Sequence, residues 1–176
     1  MTDHPTTTTT DAAVLADAIP VAHTPPGGYG DVMPPPVLGT CTEPLADGVT
    51  DLRGLWATAS VAVGGTPAPD HPSLGLVQRI EQCGDRLVVT AGGVVHDMRC
   101  DGTEEHGVHD VAERDYTTEI TVVATFEDGV HVLRPVGLPG IEVTRRLDGD
   151  QIVWDYPGFT ARLDRLGPPD MTPPSA

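Results

Sequence analysis

Hydrophobic and polar positions alternate in short runs between Leu52 and Leu166, and turn dipeptides separate the runs. Residues of the types found in these dipeptides tolerate a positive φ or preset the first residue of a turn, as two-residue hairpins require. The alternation predicts an all-β fold, an antiparallel meander of about eight to ten strands that closes into a β-barrel. The dipeptides are Gly84-Asp85, Gly92-Gly93, Asp101-Gly102, Asp128-Gly129, Pro139-Gly140, Asp148-Gly149 and Pro157-Gly158.

Counting outward from each dipeptide assigns every side chain to one face of the sheet, because successive side chains of a strand point to opposite faces. The face predicted to line the barrel is apolar around the C-terminal hairpins, where Arg145 is the exception. The count places Arg145 opposite Ile152, and Val143 opposite Trp154. It also gives the interior face a small set of polar side chains, which are Gln78, Gln82, His96, Glu105 and His109.

The strand that contains His131 is left with two alternative orientations. Counting from the turn before it pairs His131 with Phe126 on the apolar face. Counting from the turn after it places Arg134 beside Arg145 and turns His131 outward. The two counts agree only if a β-bulge intervenes, and Pro135 is a residue that permits one.

The two ends of the chain are built differently from the alternating region. Residues 1–50 contain a threonine run and proline-glycine clusters, which indicate an extended, partly disordered segment. Within it Asp11 caps an apolar stretch that ends at Pro20, and this predicts one short helix. A helix this short needs a surface to pack on, so residues 1–50 are a candidate lid over a barrel that spans residues 51–167. Residues 168–176 are predicted to be disordered.

The formal net charge of −16 excludes nucleic acid and anionic membranes as partners, since both need a basic surface. No run approaches the roughly 20 apolar residues of a membrane span, and the N-terminus lacks the basic start and apolar core of a signal peptide. Three cysteines, Cys41, Cys83 and Cys100, are an odd number and give no disulfide framework. The simplest interpretation is a cytoplasmic protein with free thiols, either a monomer or a homodimer.

The densest group of chemically capable side chains lies between Val94 and Asp110. Its candidate metal ligands are His96, Cys100, His106 and His109. A two-residue turn at Asp101-Gly102 sends His106 to the other face, and the paired short spacings typical of structural zinc sites are missing. We therefore expect no metal, and we find no cofactor fingerprint elsewhere. The outer face of this hairpin is predicted to carry an ion-pair ladder of Asp97, Arg99, Glu104 and His106.

The segment Gly54-Leu55-Trp56 opens the β region and resembles the Gly-x-Trp entry of lipocalin-like (calycin) barrels. The later runs RIEQCGDRLVVTAGG, MRCDGTEE and FTARLDRL resemble hairpins and the closing strand of small bacterial lipocalin-like domains, so the resemblance covers residues 52–166. It implies a barrel with Trp56 near its closed end, Arg162 or Arg165 close by, and a central cavity for a small, mostly apolar molecule. The plan of a barrel with an N-terminal lid is also similar to the small bacterial β-barrels that catalyse (4+2) cyclisation in spirotetronate biosynthesis.

A mostly apolar interior with a few polar groups is typical of a small-molecule site. The first hypothesis is a cofactor-independent cyclase or isomerase of secondary metabolism, in which the barrel folds a polyketide- or terpenoid-like substrate and polar donors polarise a carbonyl. The alternative is a carrier or sensor that binds a small hydrophobic ligand without changing it. The candidate catalytic residues are His96, Glu105, Tyr156 and Arg145, and the candidate ligand-binding residues are Trp56, Gln78, Gln82, Met98, His109, Val143, Trp154 and Phe159.

Overall fold

The computed structural model describes residues 12–175, and β-strands dominate it. The short helix expected near the N-terminus is reduced to one 3-10 turn at Ala16–Ala18, while its expected cap, Asp11, and the threonine run lie outside the described residues. No helix between residues 12 and 175 combines the length and apolar character needed to cross a membrane. The strands are β1 (Gly54–Val63), β2 (Thr66–Pro67), β3 (Val77–Cys83), β4 (Arg86–Ala91), β5 (Val94–Arg99), β6 (Val108–Val111), β7 (Glu119–Glu127), β8 (Val130–Pro135), β9 (Val143–Asp148), β10 (Gln151–Tyr156) and β11 (Phe159–Gly167).

Ten strands form one antiparallel sheet in the order β5-β4-β3-β1-β11-β10-β9-β8-β7-β6, and the short β2 pairs with the end of β1. The two ends of this path, β5 and β6, come together, so the sheet curls into a nearly closed barrel. We name the junction between β5 and β6 the seam. Across it the N–H of Arg99 donates to the carbonyl of His106 at 2.8 Å. The all-β barrel predicted from the alternation is therefore confirmed.

The interior face predicted from the turns is correct for the hairpins of β3, β4 and β5. Gln82 lies opposite Leu87, and Val89 lies opposite both Ile80 and His96. Both turns have two central residues, so the alternation continues through them without a change of face.

The hairpin between β9 and β10 has a different turn from the one counted. Its central residues are Gly149 and Asp150, and Gly149 has φ 64°, the conformation that the first position of a type II′ turn requires. The partners are therefore shifted by two positions, and both pairs expected for this hairpin are wrong. The faces are unchanged, and Arg145 lies opposite Trp154.

His131 lies on the interior face, opposite Phe126 on one side and Arg145 on the other. The first of the two alternatives for this strand is therefore correct. The second fails because residues 136–142 form a longer loop between β8 and β9 instead of a two-residue turn. Arg134 consequently lies on the outer side, where it pairs with two exposed glutamates.

Residues 100–107 also form a loop, since β5 ends at Arg99 and β6 begins at Val108. Without a two-residue turn at Asp101-Gly102, the two strands do not align as counted, and the expected ion-pair ladder is wrong. Glu104 is exposed, and the other three residues have different partners. The observed pairs are Asp97 with Arg86, Arg99 with Asp85 and Asp17, and His106 with Asp101.

One end of the barrel, the closed end, is filled by the segment that leads into β1. Leu52 is fully buried there, and its N–H donates to Gln82 Oε1 at 2.6 Å. The Gln82 amide donates in turn to the carbonyl of Thr50 at 2.9 Å. The indole N–H of Trp56 donates to the Leu52 carbonyl at 2.9 Å, and Trp56 lies opposite Arg165. Trp56 and Arg165 therefore meet at the closed end, as the Gly-x-Trp resemblance implied.

The opposite end, the mouth, is bordered by aromatic side chains of the β10–β11 hairpin. Tyr156 and Phe159 stack with ring centroids 5.3 Å apart, and Trp154 meets both rings edge to face. His71 packs against Phe159 with a centroid distance of 4.6 Å. Trp154 is buried whereas Tyr156 is 46% exposed, so the cluster extends from the core to solvent.

The N-terminal arm, residues 12–50, lies on the exterior of β3, β4 and β5. It follows β5 to the Gly92-Gly93 turn, returns along β3, and forms a second apolar core with these strands. β3 and β4 are consequently buried on both faces. Residues 28–30 reach the rim of the mouth, where the Tyr29 N–H donates to the Gly93 carbonyl at 2.8 Å. A lid function of the arm stays a prediction, as does disorder of the C-terminal residues 168–176.

Arg86 and Asp97 hold the arm through buried charges, with side chains only 4% and 2% exposed. Arg86 Nε and Nη2 donate to the Asp97 carboxylate at 2.8 and 2.6 Å. The other guanidinium N–H groups donate to backbone carbonyls of the arm, so all five donors of Arg86 are used. The accepting carbonyls belong to Ala16, Ile19 and Pro20.

The returning half of the arm is fixed by Glu81 and by a disulfide bond. The Glu81 carboxylate accepts the N–H groups of Val37 and Leu38 at 2.9 and 2.8 Å. Cys41 is bonded to Cys83, so the expectation of free thiols is wrong for these two cysteines. Sequence spacing gave no partner because the pair forms only when the arm lies along β3. The bond weighs against the expected cytoplasmic location, where thiols are kept reduced.

The first prediction concerns the buried ion pair. Arg86→Met is expected to lower the free energy of unfolding by about 3–5 kcal/mol, because it leaves Asp97 and three carbonyls of the arm without their donor. Urea unfolding followed by circular dichroism measures the change. Arg162→Met is the matched control, since Arg162 pairs with Asp148 at the exposed surface and such pairs contribute about 0–1 kcal/mol. Equal effects of the two substitutions would contradict the anchoring role.

The second prediction concerns the cysteines. Thiol titration of the denatured protein is expected to detect Cys100 alone before reduction and all three cysteines after it. Reduction should also lower the free energy of unfolding by about 4 kcal/mol, since the bond closes a long loop of the unfolded chain. Titration of three thiols in protein purified without reductant and kept under air would show that the bond does not form.

Candidate functional site

Arg145 lies inside the barrel with most of its guanidinium unpaired. It is 5% exposed and projects inward from β9, between His131 on β8 and Trp154 on β10. Its Nη2 donates to Gln78 Oε1 at 3.2 Å, and its guanidinium carbon lies 5.4 Å from the centre of the Trp154 ring. Its Nε and Nη1 atoms have no hydrogen-bond partner in the described part of the chain. Arg145 therefore contrasts with Arg86, whose five donors are all bonded.

The side chains around Arg145 share this lack of partners. Gln78 Nε2, Trp154 Nε1 and both ring nitrogens of His131 are buried and unbonded within residues 12–175. Most of these atoms are donors, because an amide NH₂ and an indole N–H cannot accept. Buried polar atoms are almost always paired in native proteins, and an unpaired one costs about 1–3 kcal/mol. Such a concentration of donors indicates a position for an acceptor-rich group from outside the chain.

The charges of the cluster follow from burial. Burial, together with the nearby charge of Arg145, lowers the pKa of His131 to about 3, so the imidazole is neutral at pH 7. Burial also lowers the pKa of Arg145 to about 10, while Tyr156 and Glu113 oppose this shift. Arg145 therefore remains a cation at pH 7, and the interior holds a positive charge with no bonded carboxylate.

Glu113 is the carboxylate that acts on Arg145 from the loop between β6 and β7. Its side chain lies directly against Gly92 at the mouth. Burial raises the pKa of Glu113, and the charge of Arg145 opposes that rise. The two groups influence each other through their charges, but no salt bridge joins them in the described structure.

Apolar side chains from all around the barrel enclose the polar cluster. Those that are fully part of the core are at most 9% exposed, and Ala91 is the most exposed of them. An apolar interior with a few convergent polar groups is typical of a small-molecule site. The buried side chains of these walls include Leu87, Val89, Met98, Ala124, Ile152 and Leu163.

The structure brings several of the candidate residues into this interior. Arg145 contacts both Gln78 and Trp154, and Val143 and Met98 belong to the surrounding core. His96 also lies on the interior face, where its Nε2 is 3.0 Å from the carbonyl of Val111. Burial lowers the pKa of His96.

Other candidate residues lie elsewhere. Glu105 and His109 are exposed at the surface beside the seam, because the loop at residues 100–107 changes the faces that the count assigned. Tyr156 and Phe159 are at the mouth. At the closed end, Trp56 and Gln82 bond to the segment that fills it, so their polar groups already have partners in the protein.

Sequence reasoning missed two residues of the site, His131 and Glu113. One of the two counts placed His131 inside, and the choice between them required the length of the loop at residues 136–142. Glu113 lies in a loop, where alternation gives no information on direction. No sequence signal would have placed it near Arg145.

The candidate metal ligands are dispersed over the structure. Within residues 12–175, no group of three or more His, Cys, Asp or Glu side chains could hold a metal ion. Burial raises the pKa of Cys100 to about 12, which keeps it a neutral thiol at pH 7. His106 bonds to Asp101, and His109 bonds to the Glu104 carbonyl.

Comparison with solved structures matches this chain to human cRBP IV, a cellular retinol-binding protein. The TM-score is 0.50 at 14% identity, and the match covers 66% of this chain and 98% of the other. The protein therefore has a lipocalin-like (calycin-type) β-barrel fold. No protein-family model and no curated protein sequence matches the chain. The similarity to spirotetronate cyclase barrels gains no support from these comparisons and stays a prediction.

The third prediction follows from the unpaired guanidinium. Arg145→Met is expected to leave the free energy of unfolding unchanged or to raise it, because it removes a buried charge that has no bonded anion. Arg86→Met is the matched comparison, since both arginines are buried and only Arg86 is fully bonded. Urea unfolding of the two variants measures the change in the free energy of unfolding that each substitution causes. A loss of several kcal/mol in Arg145→Met would mean that Arg145 has a structural role.

Proposed function

We propose that this protein binds a small amphipathic molecule inside its barrel, with an anionic head group on Arg145 and an apolar remainder against the walls. The observation that carries the proposal is the buried, cationic guanidinium whose Nε and Nη1 are unbonded. Water could accept these hydrogen bonds but would not neutralise the charge. A carboxylate or an enolate does both, and guanidinium binds carboxylate in a bidentate geometry.

The other donors of the cluster extend the same site. Gln78 Nε2 and Trp154 Nε1 are unbonded neighbours of Arg145 and serve as further donors to the head group. Neutral His131 contributes one donor and one acceptor, so it tolerates a hydroxyl or a carbonyl beside the anion. The apolar walls hold the remainder of the ligand by burial, at about 25 cal/mol for each Å² removed from water.

The fold supports binding of this kind. cRBP IV is named for retinol binding, and it shares the barrel architecture over nearly its whole length. In the present chain the polar cluster is cationic, which favours an acid over an alcohol. We therefore favour the carrier or sensor hypothesis over the cyclase hypothesis for this barrel.

A cyclase or isomerase function remains the second proposal, and the same cluster is the reason for it. Hydrogen bonds from Arg145 and Gln78 to a carbonyl would withdraw electron density from a conjugated substrate, while Trp154 packs against it. Binding and turnover differ only in whether the held geometry approaches a transition state. Chromatographic retention of the bound compound before and after incubation distinguishes them, since a carrier returns its ligand unchanged.

The fourth prediction tests the head group with matched probe pairs, decanoate against decanol and retinoate against retinol. For each pair that binds to the protein at pH 7.4, the acid is expected to bind at least about tenfold more tightly than the alcohol. The reason is that hydrogen bonds to a charged group contribute about 1.5–3 kcal/mol. Isothermal titration calorimetry measures both affinities. Arg145→Met should remove the preference for the acid and leave the affinity for the alcohol within about threefold.

Arg134→Met is the control for this experiment, since Arg134 is an exterior arginine with exposed carboxylate partners. It should keep the full preference for the acid. Equal affinities of acid and alcohol for the wild-type protein would contradict the anionic head group. Failure of every probe to bind would contradict the proposed function itself.

A further inference from the structure

We propose that the ligand enters and leaves the barrel sideways, through the seam between β5 and β6, and that arm residues 22–24 form a latch over this seam. This inference rests on the proposed function, because it concerns the route to the same interior. It gives the arm a role in setting the rates at which the ligand enters and leaves. This role differs from that of a lid over the mouth.

The seam is the weakest join of the barrel wall. Every other pair of neighbouring strands shares a ladder of paired residues, whereas no ladder pair joins β5 to β6 within residues 12–175. In the part of the seam close to the closed end of the barrel, the Arg99 N–H donates to the His106 carbonyl at 2.8 Å. Toward the mouth, side chains replace the missing backbone bonds.

Thr24 of the arm bonds to both sides of the seam from outside. Its hydroxyl accepts the N–H of Val95 at 3.0 Å and donates to the carbonyl of the same residue at 3.5 Å. Its own N–H donates to Asp110 Oδ2, on β6, at 2.9 Å. Next to it, the Ala22 N–H donates to Asp97 Oδ2 at 2.9 Å. Thr24 therefore fills the place where a neighbouring strand would bond to β5.

His96 joins the seam from inside. Its side chain belongs to β5, and its Nε2 is 3.0 Å from the carbonyl of Val111 on β6. Near the mouth the two strands are thus held by Thr24 from outside and by His96 from inside, and beyond their ends the Tyr116 hydroxyl donates to the Gly92 carbonyl at 2.9 Å. Breaking these few bonds separates β5 from β6 near the mouth without disrupting any ladder of the sheet, while the Arg99–His106 bond holds the other ends of the two strands.

Two clefts at the surface flank this latch. One, of about 350 Å³, lies between the arm and the loop at residues 100–107 and reaches Met98, which belongs to the interior core. The other, of about 390 Å³, lies beside Thr24 and exposes Val111 and Ile120. Together they bring solvent to both sides of the latch, and the first reaches the barrel wall at Met98.

The two ends of the barrel offer more resistance than the seam. The closed end is filled by fully buried Leu52 and its bonds to Gln82 and Trp56. The mouth is bordered by the packed aromatic rings of Trp154, Tyr156 and Phe159, and residues 28–30 of the arm reach its rim. The arm, in contrast, is held on both sides of residues 22–24, by Arg86 and by the Cys41–Cys83 bond. The latch can therefore open while the arm remains attached.

The fifth prediction tests the latch with Thr24→Val, which keeps the shape of the side chain and removes the hydroxyl. Stopped-flow fluorescence with cis-parinaric acid, a fluorescent polyene carboxylate, is expected to show association and dissociation rates that both increase about tenfold. The dissociation constant should stay within about twofold, because Thr24 acts on the route and does not touch the ligand.

Two controls accompany this variant. Thr160→Val removes a comparable hydroxyl on the outer face of β11, where it bonds to Asp155, and both rates should stay at the wild-type value. His71→Ala loosens the packing over Phe159 at the mouth, and it should also leave both rates unchanged. Circular dichroism and urea unfolding establish that each variant is folded.

The outcomes separate the two proposals. No binding of the probe to wild-type protein would overturn the proposed function together with this route. Binding with unchanged rates in Thr24→Val would overturn the seam proposal alone, as would faster rates in His71→Ala. A faster dissociation rate with an unchanged association rate in Thr24→Val would also overturn it, because Thr24 would then stabilise the bound state.

Discussion

A guanidinium group removed from water needs partners for its five N–H groups and a neighbour for its charge, and this constraint governs both faces of the barrel. On the outside, Arg86 obtains all of them from Asp97 and from the arm. The arm is thereby part of the fold, since the outer charges of β3–β5 are buried only under it. On the inside, Arg145 has a single hydrogen bond, to Gln78. The same requirement thus accounts for Arg86 by structure, and for Arg145 it is the basis of the proposed ligand.

The faces of the strands were largely predictable from the sequence, because alternation and short turns are local properties. The interior positions of Gln82, His96 and Trp154 follow from counting alone. Errors arose where a turn was not the assumed one: the type II′ turn at Gly149 shifted a register, and the loop at residues 136–142 decided between two orientations. Loop lengths depend on how strands meet in space, and no local pattern contains that information.

The arm and the site show the limit more clearly. Proline-rich composition predicted an extended N-terminal segment, but its contacts with Glu81 and Arg86 join residues more than 40 positions apart. Arg145 stood out in the sequence as a charge on an apolar face. Its isolation from carboxylates could not be predicted, because it depends on every neighbour in the closed barrel. The sequence therefore indicated Arg145 as the exceptional residue of the apolar face. Only the three-dimensional arrangement shows that no carboxylate in the described part of the chain is bonded to it.

The hydroxyl of Thr24 has a consequence beyond ligand exchange. An edge strand with free backbone groups is a template for pairing with another molecule, and it favours aggregation. β5 would present such an edge at Val95, but Thr24 occupies both backbone groups of that residue. Any opening of the seam exposes this edge for a short time. On the proposed route the high negative charge of the chain is therefore an advantage, since like-charged molecules rarely meet during that interval.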